Sequence, residues 1–197
     1  MARAVQLSSK SSEHYGPPWL ADLAHEVMGG IDLDPASCAA ANRLIRARFY
    51  YSPERGEDGL REHWAGRVYL NPPGGQIKWQ GQWVNQAALW WATLVARYNA
   101  GWVDEAIFTV FNLELFRYAQ RWPGISHPLD FPYCMPKDRI DFHAPGEAPE
   151  SSEPQGMPGH PNAVIYLWPK RNTWEAYQRF QKAFSPIGRT MPADIPF

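Results

Sequence analysis

Asp58–Gly75, DGLREHWAGRVYLNPPGG, is the stretch that decides the fold. Val68, Tyr69 and Leu70 suit a sheet interior and predict a short strand over 67–70. Pro72 and Pro73 then stop both helix and ladder, and Gly74 and Gly75 follow. Asn71 therefore falls where a buried strand ends and a stiff loop begins. Ligands of open α/β sheets bind at such strand ends, so the rest of the chain is read against this point.

Upstream, Leu20, Leu23, Ala24, Val27 and Met28 form one apolar helical stripe, stopped by Gly29 and Gly30. Residues 31–37, IDLDPAS, predict a first strand with a proline at its end. Residues 39–48 have helical character, and Phe49-Tyr50-Tyr51 forms a second strand or its exit, or simply core. Downstream, residues 76–82 read as a polar, mobile loop. Val84, Ala87, Ala88, Trp91, Leu94, Val95 and Tyr98 recur at helical spacing, ended by Gly101. AIFTVF, 106–111, predicts a central strand, and 112–122 a helix capped by Asn112, with Glu114 able to face a pocket. A long connection over 124–136 leads to a short strand at 139–142, and AVIYLW, 163–168, is the last strong strand. A helix over 172–184 follows, with Asn172 as cap and Glu175 at the capping-box position. This alternation predicts a three-layer α/β domain. Residues 1–13 are expected to be a flexible arm, 14–185 a single domain, and 186–197 an irregular tail. The domain carries a flexible Pro/Gly/Glu/Ser-rich loop over 144–161, with His143 and His160 at its ends.

A chain of 197 residues, 45% hydrophobic, is long enough for one sizeable core. Its formal charge of -1 does not suggest strong nonspecific nucleic-acid binding, though local basic faces can coexist with acidic ones. Arg43, Arg46 and Arg48 are the densest positive charge: a phosphate-contacting face or a solvated helix face. Cys38 and Cys134 lie far apart without a CxxC pair, and no His/Cys cluster resembles a zinc site. Free thiols in a reducing compartment and no metal are the expectation. No long apolar span or signal segment is visible, so a cytoplasmic protein without a membrane partner is expected.

Asn71-Pro72-Pro73 reads in two ways. It is a tight Pro-Gly surface turn, or a cradle for an exocyclic amine on a nucleobase. Such an amine is a poor nucleophile because its lone pair is delocalised into the ring. A carboxamide oxygen and a backbone carbonyl can accept its two N–H hydrogens, align the nitrogen and stabilise charge developing on it. Consecutive prolines add no competing donor and fix the loop beforehand. Asp32 and Asp34, two residues apart, can accept hydrogen bonds from a ligand's amine or hydroxyls, or form a solvated turn; a metal pair lacks further ligands.

NPPGG resembles the catalytic (D/N/S)PP(Y/F/W) motif of amino-group DNA methyltransferases. The ordered pieces IDLDPAS, AN, FYYSPERGEDGLREHWAGRVYLNPP resemble the phage-type DNA N-6-adenine methyltransferase (Dam-like) family, here a variant with NPPGG in place of NPPY. That similarity extends, more weakly, from Tyr15 to about Trp168. It implies a Rossmann-like methyltransferase fold with a mostly parallel central sheet. It also implies S-adenosyl-L-methionine as cofactor and N6-adenine methylation of DNA, in a bacterium or a phage-infected host.

By resemblance, Asn71, Pro72 and Pro73 are catalytic, and Asp34, Pro35 and Ala36, with Asp32 more weakly, bind the cofactor. HYGPP takes the place of the family's aromatic–Thr–Pro segment, which makes Tyr15 and Pro17 cofactor candidates, with Gly16 where the threonine stands. Asp58 corresponds to the carboxylate that receives the cofactor's adenine amine; Trp64 is expected to pack below the site, and Asn42 to brace the first loop. Gly74 stands where the family's base-stacking aromatic belongs, so Trp79 or Trp83 is the candidate replacement, with core packing as the rival, above all for Trp83. Arg139, in PKDRIDF, contacts DNA or holds a local carboxylate. No second domain for DNA recognition is visible, so sequence preference is expected to be short, loose or borrowed from a second subunit in a homodimer. Rival readings are another amine acceptor, such as cytosine N4 or a non-DNA amine, and an inactive nucleic-acid-binding protein on the same domain.

Overall fold

The computed structural model describes residues 15–110, 114–142 and 162–193. The expected N-terminal arm, the Asn112 cap, the loop over 144–161 with its histidines, and the last residues of the tail lie outside these segments. The elements run α1 (Pro18–Met28), β1 (Leu33–Asp34), α2 (Ala39–Ile45), β2 (Phe49–Tyr50), β3 (Gly66–Leu70), β4 (Gln76–Trp79), β5 (Gln82–Asn85), α3 (Gln86–Asn99), β6 (Val103–Val110), α4 (Glu114–Ala119), β7 (Tyr133–Pro136), β8 (Ala163–Leu167), α5 (Thr173–Phe184) and β9 (Gly188–Met191).

Seven strands form one sheet in the order β2-β1-β3-β6-β8-β7-β9, and β4 and β5 form a separate hairpin. Strand alternation sends side chains to two cores. Val68, Leu70, Ala106, Phe108, Ile165 and Leu167 meet α3 and α4 on one face. Tyr69, Ile107, Val164 and Tyr166 meet α1, α2 and α5 on the other. The molecule is thus a mixed sheet flanked by helices, a general Rossmann-like α/β sandwich.

The sheet is mixed, with five of its seven strands pointing one way. Pairings from β2 to β6 are parallel, whereas β8 pairs antiparallel with both β6 and β7, and β7 antiparallel with β9. Continuous apolar runs such as AIFTVF and AVIYLW report burial on both faces but carry no direction.

Several local expectations change. Residues 76–82 are not a loop but most of a hairpin, turned by Gln80 and Gly81 at φ 48° and 83°. Paired positive φ values make the two-residue turn that matches strand twist. Trp83 is 70% exposed, which ends its core reading, and Phe49 is likewise exposed. Residues 139–142 form no strand; besides the expected β8, the strands in that half are β7, inside the expected connection, and β9, inside the expected tail. Asn172 caps α5 from the left-handed region at φ 55° with no side-chain hydrogen bond, so the capping box is absent. Asn42 clamps the turn between α2 and β2 through Ala47 N–H and C=O, not the first loop.

Candidate functional site

β1 and β3 are parallel neighbours, with Leu33 paired to Val68. Their C-terminal ends therefore emerge side by side, Asp34-Pro35-Ala36 from one and Asn71-Pro72-Pro73 from the other. A proline after each strand cannot extend the ladder, so both chains leave the sheet there. A cleft of about 370 Å³ opens between them, lined by these residues together with Tyr15 and Asp58.

Asp34 is buried, and its Oδ1 accepts the Ala36 N–H at 3.2 Å. Burial pushes its carboxyl up to about 7, against the pull of the Ser37 and Ala36 hydrogen bonds. Near neutral pH it therefore passes between donor and acceptor. Asp58 stands half-exposed at the cleft; its Oδ1 accepts the Leu60 N–H, and its Oδ2 pairs with Arg61 at 3.0 Å. The next residue, Gly59, fits against β1's exit so closely that a Cβ would stand 1.8 Å from the Pro35 oxygen. Beneath it the buried Trp64 donates its indole N–H to the Gly59 carbonyl at 2.7 Å and stacks on Trp90 at 6.0 Å between centroids. The Asp58 loop is thereby held between Pro35 and a tryptophan pair.

The loop after β3 is held from α3. The Gln86 side chain donates to the Gly74 carbonyl at 2.7 Å, and the Gln86 N–H to the Gly75 carbonyl at 3.0 Å. Asn71 is half-buried and lines the cleft, with its Oδ1 shielded from solvent. Its carboxamide must turn before that oxygen accepts from a ligand in the cleft. Tyr15 reaches across to Cys38, hydroxyl to Sγ at 3.2 Å, and the backbone at Gly16 passes close to the Tyr69 hydroxyl, where a Cβ would stand at 3.3 Å.

Other expected site residues lie elsewhere. Asp32 is not a cleft residue: its carboxylate takes Arg67 in a fork, Nε at 2.8 Å and the far guanidinium nitrogen at 3.0 Å, and this pairing holds its pKa down. Pro17 is the N-cap of α1 and lies outside the lining. Gly74 has open space where a side chain would be. Trp79 lies on the same ribbon face as Ile77, which does line the cleft, but sits farther out with Arg61 at 5.6 Å from its ring centroid. Trp83 is on the opposite ribbon face, paired with Lys78. Arg139 is exposed and outside the lining, and Glu114 pairs with Arg117 rather than facing the cleft.

Tyr51, Cys38, Gly59, Ile77, Gln86 and Trp90 also line the cleft and were not foreseen as site residues. Ile77 had a partial signal: Gly81 marks a turn after Gln76-Ile77-Lys78-Trp79, which alternates polar and apolar. Gln86 and Trp90 had none, because their faces of α3 are assigned only by how the helix docks.

Among the described residues, no group of three or more His, Cys, Asp and Glu is arranged to hold a metal ion. No helix there is long and apolar enough to cross a membrane. Cys38 and Cys134 are free, buried thiols. Fold and cleft together define a Rossmann-like α/β sandwich with a cleft at its strand ends. The chain matches no family model, no curated protein and no solved structure.

Proposed function

We propose that the protein is an S-adenosyl-L-methionine-dependent methyltransferase acting on the exocyclic N6 amine of adenine in DNA. The observation that carries this reading is the meeting of Asn71-Pro72-Pro73 and Asp34-Pro35-Ala36 in one cleft, with Asp58 and Tyr15 on its walls. The cofactor fits the acceptors present: a buried carboxyl and a half-exposed carboxylate have lone pairs left for further N–H or O–H groups, amid apolar walls from Ala36, Leu60 and Ile77. When bound, the cofactor supplies an electrophilic methyl group on a sulfonium.

Asp34 and Asp58 would hold the cofactor by accepting from its amine and hydroxyl groups. The Asn71 carboxamide, once turned, and the Pro72 carbonyl would accept both N–H hydrogens of the target amine and fix the nitrogen. Pro73 and the Gln86 contact would keep that cradle rigid. No general base is required, because the proton leaves after transfer from an already cationic nitrogen. The target base must leave the DNA stack to reach this loop.

The second reading keeps the cleft and changes the acceptor to cytosine N4 or another amine; the open space at Gly74 favours it, since no ring stacks there. Mass analysis of nucleosides from DNA incubated with protein and cofactor separates the two. Asn71→Ala is expected to abolish nearly all methyl transfer with cofactor affinity largely kept. Equal activity of variant and wild type would reject the assignment.

A further inference from the structure

The hairpin of β4 and β5 stands outside the seven-stranded sheet, directly after the Asn71-Pro72-Pro73 loop. Its root is tied to that loop and to α3: the Gln86 N–H donates to the Gly75 carbonyl, and the Asn85 side chain caps the helix. Strand alternation gives the ribbon two faces. Ile77, Trp79 and Val84 lie on one, where Ile77 lines the cleft and Arg61 stands over Trp79. Lys78 and Trp83 form a directly opposed pair on the other. Both are exposed, and at 70% Trp83 is the most exposed large apolar side chain among the described residues. Gln76, Gln80 and Gln82 are exposed too. No Asp or Glu occurs from Trp64 to Val103, so the ribbon and the loop it springs from carry only neutral and positive side chains.

We infer that this outer ribbon face is a DNA contact: the Lys78 ammonium meets a backbone phosphate, and the Trp83 indole stacks on a base left unstacked beside the flipped target. The inference rests on the proposed DNA acceptor and names where the strand outside the cleft is held. Trp83 faces away from the cleft, so it does not stack on the target base itself. Directly opposed residues of an antiparallel ribbon stand about 5 Å apart at Cβ, which sets cation and ring side by side. An indole offers its face to any base, and no carboxylate on the ribbon competes with phosphate for the ammonium. A target that leaves the helix breaks the stack, and an apolar side chain set against the exposed base restores the lost contact. A second copy of this chain fits the face less well, because lysine is depleted from protein–protein interfaces.

Fluorescence anisotropy with a fluorescein-labelled DNA duplex carrying a mismatched adenine, on the full chain saturated with S-adenosylhomocysteine, tests this. Trp83→Ala is expected to weaken binding about 5- to 100-fold, the worth of stacking on one base. Lys78→Ala is expected to weaken it and to lower the slope of log affinity against log salt by about one. Trp174→Ala removes another exposed tryptophan, on α5, and is expected to bind as wild type does. Irradiating wild type with 5-bromodeoxyuridine beside the adenine gives a readout independent of any variant's folding: the crosslink is expected on the peptide holding Trp83. Trp83→Ala that binds as tightly as wild type, or a crosslink outside 76–85, overturns the surface, while methyl transfer by wild type leaves the DNA acceptor standing. A wild type that sediments as a dimer beside a monomeric Trp83→Ala gives the face to a second copy and overturns the DNA contact. No DNA binding by wild type overturns the acceptor and this surface together.

Discussion

Gly59 lies against Pro35, two loops that are far apart in sequence yet leave no room for a methyl group between them. The contact joins the exit of β1 to the segment leading into β3. Gly59→Ala is therefore expected to push the Asp58 loop off Pro35. The nearest obstructing atom, the Pro35 carbonyl oxygen, belongs to backbone, and the Trp90 ring closes the other side at 3.0 Å, so the strain has no cheap relief and costs about 2–3 kcal/mol. A urea titration reads the loss, and calorimetry is expected to show S-adenosylhomocysteine binding at least tenfold weaker.

Asp34 should make stability depend on pH. Its folded pKa, about 7, lies above the unfolded reference of 3.8. Between these values the native state holds a proton that the unfolded state has released. Stability is therefore full below about pH 4 and declines as pH rises through 7, by at most on the order of 4 kcal/mol. Asp34→Asn is expected to flatten that decline in urea titrations from pH 4.5 to 7.5. Glu105, also raised by burial, contributes in the same direction and is removed separately with Glu105→Gln.

The two carboxylates upstream of the NPP loop should separate cleanly. Asp58→Asn keeps an acceptor for the Leu60 N–H but loses charge, so the fold holds while cofactor affinity falls about tenfold. Asp32→Asn leaves Arg67 with a weaker partner, costs about 1–2 kcal/mol of stability and leaves affinity unchanged. Melting curves and calorimetry on both variants check the contrast; an affinity loss for Asp32→Asn would return that residue to the cleft.

Gln86→Met keeps side-chain length and removes the donor to Gly74. Amide exchange across 71–75 is expected to quicken. Methyl transfer should fall about tenfold because the cradle is no longer pre-set, with a melting shift of no more than a few degrees. Unchanged exchange and turnover would show that the prolines alone hold the loop.

The sequence by itself determined the alternation of elements and the point on which they turn. Val68-Tyr69-Leu70 followed by two prolines is a local instruction: apolar residues that fill a sheet, then residues that cannot continue it. Pro35 after Asp34 says the same for β1, and the apolar runs of β6 and β8 say only that both faces are covered. What tertiary structure alone decided is what those statements leave out. Whether β7, β8 and β9 run with or against their neighbours depends on where the chain re-enters the sheet. β9 is a strand because β7 offers it an edge, as its own residues, GRTM, carry no apolar alternation. Asp32 and Asp34 are chemically alike and two residues apart, yet one meets Arg67 and the other a cleft, because a guanidinium from β3 stands beside only the first. Trp90 and Gln86 enter the site for the same kind of reason: a helix has many faces, and only docking against the sheet selects the one that looks inward.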